Sequence, residues 1–118
     1  MSFLKCWIAI ETLAMPDITN VVPINEMLAK IYSITITDAA KQFFVGRIHG
    51  LRSDIVHDGI MIPINPGVTD YLQAMYFDLL SHIAEIKSER RLESALKNES
   101  FRIETYITQY AKARKLDR

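Results

Sequence analysis

Residues 65–86 read NPGVTDYLQAMYFDLLSHIAEI, and the spacing of their apolar positions decides the fold class. Val68, Leu72, Met75, Leu79, Ile83 and Ile86 follow one another at steps of 4, 3, 4, 4 and 3. That rhythm keeps one face of a 3.6-residue helix apolar. Asn65 followed by Pro66 supplies an N-cap and a proline at the first helical position, so the helix has a defined start.

The same rhythm recurs on both sides. Phe3, Trp7, Ile10 and Ala14, with Leu4 and Ile8 beside them, predict a helix over 2–14 that stops at Pro16-Asp17. A short helix from about Ile24 carries Met27, Leu28 and Ile31. The run 31–36 is rich in β-branched residues, but it is isolated, so an extended link is expected there instead of a strand. Thr37 is the expected N-cap of a third helix whose core stripe is Phe44, Ile48, Leu51 and Ile55. Gly59 offers its stop, and Pro63 and Pro66 oppose continuation. A shorter basic helix through Leu92 and Leu96 breaks at Asn98-Glu99-Ser100, and a last helix uses Ile103, Tyr106, Ile107 and Tyr110. Together these predict an all-α fold: an antiparallel bundle of four to six helices, in one domain over residues 1–118.

Composition narrows the class further. Of the 118 residues, 49% are hydrophobic, enough for a core, and 24% are charged. No apolar run approaches the ~20 residues of a membrane span, and the first residues lack the layout of a signal peptide. The single cysteine, Cys6, forms no internal disulfide and is expected as a buried structural thiol. A reducing cytoplasm is the expected compartment. Net charge is zero, yet residues 1–86 hold five Lys/Arg against nine Asp/Glu, and residues 87–118 hold nine against five. The basic end (Lys112, Arg114, Lys115 and Arg118) suits a phosphate backbone. Its plainer reading is a solvated helix terminus with cations at the negative dipole end.

The chemistry is concentrated in Leu51-Arg52-Ser53-Asp54-Ile55-Val56-His57-Asp58-Gly59. Arg52 holds a permanent charge on a planar donor fork, and His57 exchanges a proton near neutral pH. The pair suits phosphate binding and proton transfer without a metal. With seven arginines and three histidines, spacing alone gives roughly 0.5 such pairs by chance, so context carries the weight. Around a straight helix Arg52 and His57 stand about 140° apart. Ser53 and His57 share the face away from the core, whereas Arg52 shares a shoulder with Val45, His49 and Val56. Two arrangements would unite the pair: a helix that ends before His57, or a cleft built from two chains. The second assigns Val45, His49, Arg52 and Val56 to a homodimer interface. Asp54, Asp58 and the helix terminus are expected to favour the imidazolium of His57.

This segment resembles the signature of HEPN domains, in particular the Apea-like branch, in which an arginine is followed after four to six residues by a histidine. The first helix, with Trp7 and Glu11, is similar to that family's opening helix. The resemblance covers about residues 3–87. It implies a bundle that usually dimerises and, in many members, a metal-independent endoribonuclease of toxin–antitoxin or phage-defence type. Others of the family are silent modules that bind RNA, a nucleotide or a protein partner. It also implies a possible antitoxin or nucleotidyltransferase partner. By that resemblance Arg52 and His57 take the catalytic positions, with Ser53 and Asp54 as supporting residues. Ser53 departs from the amide, acid or histidine common after the arginine.

Other readings are plainer. Glu11 is left open between holding Arg52 and facing solvent. His49 lines the cleft or sits on a helix surface, and His82 is expected at the edge of the core. Trp7 and the tyrosines are expected in the core. Gly46 and Gly50 are spaced for close helix contact. No cofactor or metal is expected, because no phosphate-cradling glycine loop and no tight cluster of ligand residues is present.

Overall fold

The computed structural model describes residues 2–57 and 65–116, and the side chains among them other than those of 55–57 and 113–116. Seven helices occur among these residues: α1 Phe3–Ala14, α2 Val22–Tyr32, α3 Ile36–Phe43, α4 Val45–His57, α5 Pro66–Ile83, α6 Arg91–Leu96 and α7 Ile103–Leu116. The fold is an all-α bundle centred on α5, against which α1, α2 and α6 pack most extensively. No described helix is long and apolar enough to cross a membrane.

Local chemistry places most of the helix starts. The Ser2 hydroxyl accepts from the backbone N–H of Lys5 at 3.2 Å and begins α1. Asn65 accepts from the N–H of Gly67 at 2.8 Å, with Pro66 at the first position of α5. Each cap satisfies a donor that the helix leaves unpaired. Trp7, Ile10, Ile24, Leu28, Val68, Leu72, Met75 and Leu79 are fully enclosed. Burial of each large apolar side chain is worth about 1.5–3 kcal/mol relative to exposure.

Three expectations change. The N-cap of α3 is Thr35, not Thr37: its hydroxyl accepts from the N–H of Asp38 at 3.0 Å. The expected third helix is two helices, split at Phe44, which adopts a left-handed backbone (φ 58°). Tyr71 of α5 donates its buried hydroxyl to the Phe43 carbonyl at 2.8 Å, satisfying an acceptor at the break. Phe43 therefore enters the core, Phe44 is only partly buried, and α4 starts with its own phase: Val45, Ile48 and Leu51. Finally, the α5 stripe outruns its helix. Glu85 turns left-handed (φ 58°), and the N–H groups of Glu85 and Ile86 bond back to the His82 and Ser81 carbonyls. This closing turn normally uses glycine. It leaves Ile83 and Ile86 exposed.

α6 has only six residues and no side-chain cap of its own. Asp78, buried on α5, supplies one from outside. Its carboxylate accepts from the N–H groups of Arg91 (2.8 Å) and Leu92 (2.9 Å), from the Ser88 hydroxyl (3.1 Å) and from the Tyr32 hydroxyl (2.6 Å). The Tyr32 oxygen in turn accepts from the N–H of Glu93 at 3.1 Å. Three successive amide donors of α6 are thus satisfied by α5 and α2, and an anion stands at the positive end of the helix. Burial, then the bond to Asp78, pushes the Tyr32 phenol well above its ordinary pKa.

Candidate functional site

The site is built where α4 crosses α1. On α4, Val45, His49 and Arg52 recur at steps of four and three, and this stripe turns toward α1 within the same chain. Trp7 and Glu11, one turn apart on α1, meet it in register. The Trp7 and His49 rings lie 6.0 Å apart between centroids. The Arg52 Nε lies 2.9 Å from the Glu11 Oε1. Of the alternatives left open for Glu11, the structure takes the ion pair.

The pair is well withdrawn from water: the Arg52 side chain is 14% exposed and that of Glu11 7%. Neither Arg52 Nε nor Glu11 Oε1 has an aligned hydrogen-bond partner among the described residues, and Trp7 Nε1 in the adjoining turn has none either. The contact is therefore a close charge pair without ideal donor alignment. The charges still hold each other, because an unpaired ion at this depth would be costly.

His49 is engaged as well. Its Nε2 lies 2.8 Å from the Ile18 carbonyl. A carbonyl only accepts, so Nε2 carries the proton in this contact. The bond ties the link between α1 and α2 onto α4.

The shoulder expected to face a second copy is thus used inside the chain. Val45 is fully enclosed in the core, which removes it from a dimer cleft. The physical reason is the break at Phe44: the helical phase of residues 37–44 does not continue into α4. Gly46 and Gly50 also differ from expectation. A Cβ at either position would meet nothing within 4 Å among the described residues, so neither marks a close helix contact.

The rest of the motif is placed in part. Asp54 accepts from the Tyr110 hydroxyl of α7 at 3.0 Å, which joins the last helix to the motif. Ser53 is half-buried. α4 continues through His57, so the motif is helical from arginine to histidine. The Val56 and His57 side chains, Asp58, Gly59 and Pro63 lie outside the described residues. Cys6 is buried against the core, and burial raises its thiol pKa. His82 is half-buried in the last turn of α5.

Sequence reasoning passed over Asp78 and Tyr32. The available signal was an acid three residues after Met75 and seven after Tyr71, on the buried side of α5. None of the family models, curated proteins or solved structures compared with this chain matches it.

Proposed function

We propose that the chain is a HEPN-type module that cleaves RNA without a metal, using Arg52 and His57. The observation that carries this reading is the Glu11–Arg52 ion pair. It joins the two segments that bear the family resemblance, the opening helix and the Arg-x4-His segment. The carboxylate approaches the guanidinium on its Nε side, and the terminal nitrogens are those that a phosphate engages as a fork. An arginine has five N–H donors and can serve two anions together.

In the proposed reaction the ribose 2′-oxygen attacks the adjacent phosphorus, and the bond from phosphorus to the 5′-oxygen breaks. The 2′-hydroxyl loses its proton to a neutral imidazole, and the leaving 5′-oxygen gains one from an imidazolium; His57 serves both roles. Arg52 balances the charge that develops on the crowded phosphorane. The products are a 2′,3′-cyclic phosphate and a 5′-hydroxyl. DNA, lacking the attacking group, is spared. Because α4 is helical through His57, positions 52 and 57 lie about 140° apart around one helix. The reading therefore needs two copies, with each cleft completed across a twofold axis on the Ser53–His57 side of α4. An antitoxin or nucleotidyltransferase partner would act by covering that face.

A second reading rests on the depth of Arg52. A guanidinium 14% exposed and balanced by Glu11 has little charge to offer substrate, which favours a silent module that binds RNA, a nucleotide or a protein.

The test is incubation with mixed RNA and a matched DNA strand in chelator. Arg52→Ala would strand Glu11, so Arg52→Lys is the informative variant: it keeps the charge and removes the fork. Cleavage of RNA alone, lost in Arg52→Lys and His57→Ala with melting temperatures preserved, supports the nuclease. RNA binding without cleavage selects the silent module. A monomer by light scattering at micromolar concentration rejects the two-copy cleft.

A further inference from the structure

We propose that the outer face of α5, with the groove between α5 and α1, binds a second copy of this chain, the two α5 helices lying antiparallel about a twofold axis at Leu80. The proposal is independent of the RNA reading and of the two-copy cleft on α4. Trp7 and Glu11 turn toward α4, whereas Cys6 and Ala9 line the groove beside α5. The two faces therefore lie on different sides of α1.

The first observation is a second stripe on α5. A surface helix normally carries charged residues opposite its core face. α5 has no lysine, arginine or glutamate, and of its two aspartates Asp78 is buried. Its outer side instead presents Asp70, Gln73, Phe77 and Leu80, followed by Ala84 at its cap, at steps of 3, 4, 3 and 4. That is the spacing of a seam between two helices. Among the described residues eight large apolar side chains are exposed, and four of them, Phe77, Leu80, Ile83 and Ile86, fall in this one stretch. Exposed apolar residues on a monomer are ordinarily scattered singly.

The second observation is that the face complements itself. On one side of Leu80 is a groove of about 390 Å³, lined by Cys6, Ala9, Leu72, Gln73, Tyr76 and Phe77. On the other side Ile83 and Ile86 stand exposed at the end of α5. A twofold axis at Leu80 exchanges the two. At 100° and 1.5 Å per residue, the antiparallel copy sets Leu80 against Leu80, Phe77 against the small Ala84, and Ile83 against Tyr76 at the mouth of the groove. Arg91, over one side of the Phe77 ring, borders the seam. The ends agree in charge as well: Asp70 of one copy comes within a turn of Lys87 of the other. Both are exposed, and neither makes an ion pair among the described residues. Hollow against ridge and acid against base on a single patch is what an isologous contact requires. A lipid surface would make no use of Asp70.

The experiment is sedimentation equilibrium of the full chain at concentrations up to about 100 μM, the range of a weak interface. Wild type is expected to associate. Leu80→Glu opposes two carboxylates on the axis and is expected to raise the dissociation constant at least about tenfold. Asp70→Lys and Lys87→Asp are each expected to raise it about two- to tenfold, since every change acts at both ends of the seam. The double Asp70→Lys/Lys87→Asp is expected to restore it. Melting temperatures of dilute samples separate lost association from lost folding. Wild type that stays monomeric, association unchanged by Leu80→Glu, or a double variant weaker than both singles overturns the proposal. Wild type larger than a dimer, reduced to a dimer by Leu80→Glu, supports it alongside the α4 cleft. A monomer that phosphatidylglycerol vesicles retain, and retain less well as Leu80→Glu, overturns it in favour of a lipid surface.

Discussion

The Glu11–Arg52 pair is the residue-scale feature on which both function and stability turn. Two ions at this depth have lost most of their hydration, and each is tolerable only because of the other. Glu11→Ala leaves the guanidinium unbalanced and should cost about 3–5 kcal/mol. Replacing both partners at once by apolar residues of similar volume, Glu11→Leu with Arg52→Met, should cost far less than either single change. Urea melts of the two singles and the double would measure this. Additive losses would show that the charges do not sense each other. The same pair explains why alanine at Arg52 is a poor probe of catalysis.

At the scale of the element, helices are set by short-range chemistry until a neighbour overrides it. α4 contains two glycines, and Gly50 lies in its middle with open space where a Cβ would go. Gly50→Ala should stabilise the chain by about 0.4–1 kcal/mol, because alanine restricts the unfolded state and favours the helix. Gly67, in the first turn of α5, is the opposite case: a Cβ there would run into the Phe101 ring. Gly67→Ala should destabilise by about 1–3 kcal/mol, the usual cost of overpacking. Thermal melts of the two variants should shift in opposite directions. A shift of the same sign would mean that Phe101 does not seat on α5 as described.

At the scale of the molecule, the seven helices found among the described residues share one apolar core. The radius of gyration, 13.9 Å, is close to the about 13.5 Å expected for one packed body of this length. Among the described residues four groups are held protonated inside it, one of them Tyr106, whose phenol pKa burial raises. Burial raises the pKa of Cys6 above 9.0, and those of Tyr32 and Tyr71 above 10.0. In alkali the folded chain thus binds more protons than the unfolded one. Stability is complete below these ordinary values and falls as pH rises past 9.0 and then 10.0. A melting temperature flat from pH 7 to about 9 and falling beyond is the expected outcome by circular dichroism. Tyr71→Phe should begin lower, having lost its bond to Phe43, and fall less steeply. A wild-type curve that stays flat to pH about 11 would contradict these shifts.

What the chain alone determined is its helical character. Apolar steps of three and four, an asparagine and a proline at the start of α5, and a lone cysteine on an amphipathic stripe act over a single turn. They needed no distant partner to be read. Tertiary structure decided the rest. Phe44 and Glu85 turn left-handed without a glycine to announce it, because the Tyr71 hydroxyl at Phe43 and the closing carbonyls of α5 satisfy the backbone there. Asp78 reads in sequence as an acid misplaced on an apolar face, and only the arrival of α6 and Tyr32 gives its carboxylate four donors. Arg52 was legible as a motif residue, but its counter-ion lies forty-one positions earlier in the chain. Short-range geometry is written in neighbouring residues; the pairing of buried charges is fixed only when distant helices exclude water between them.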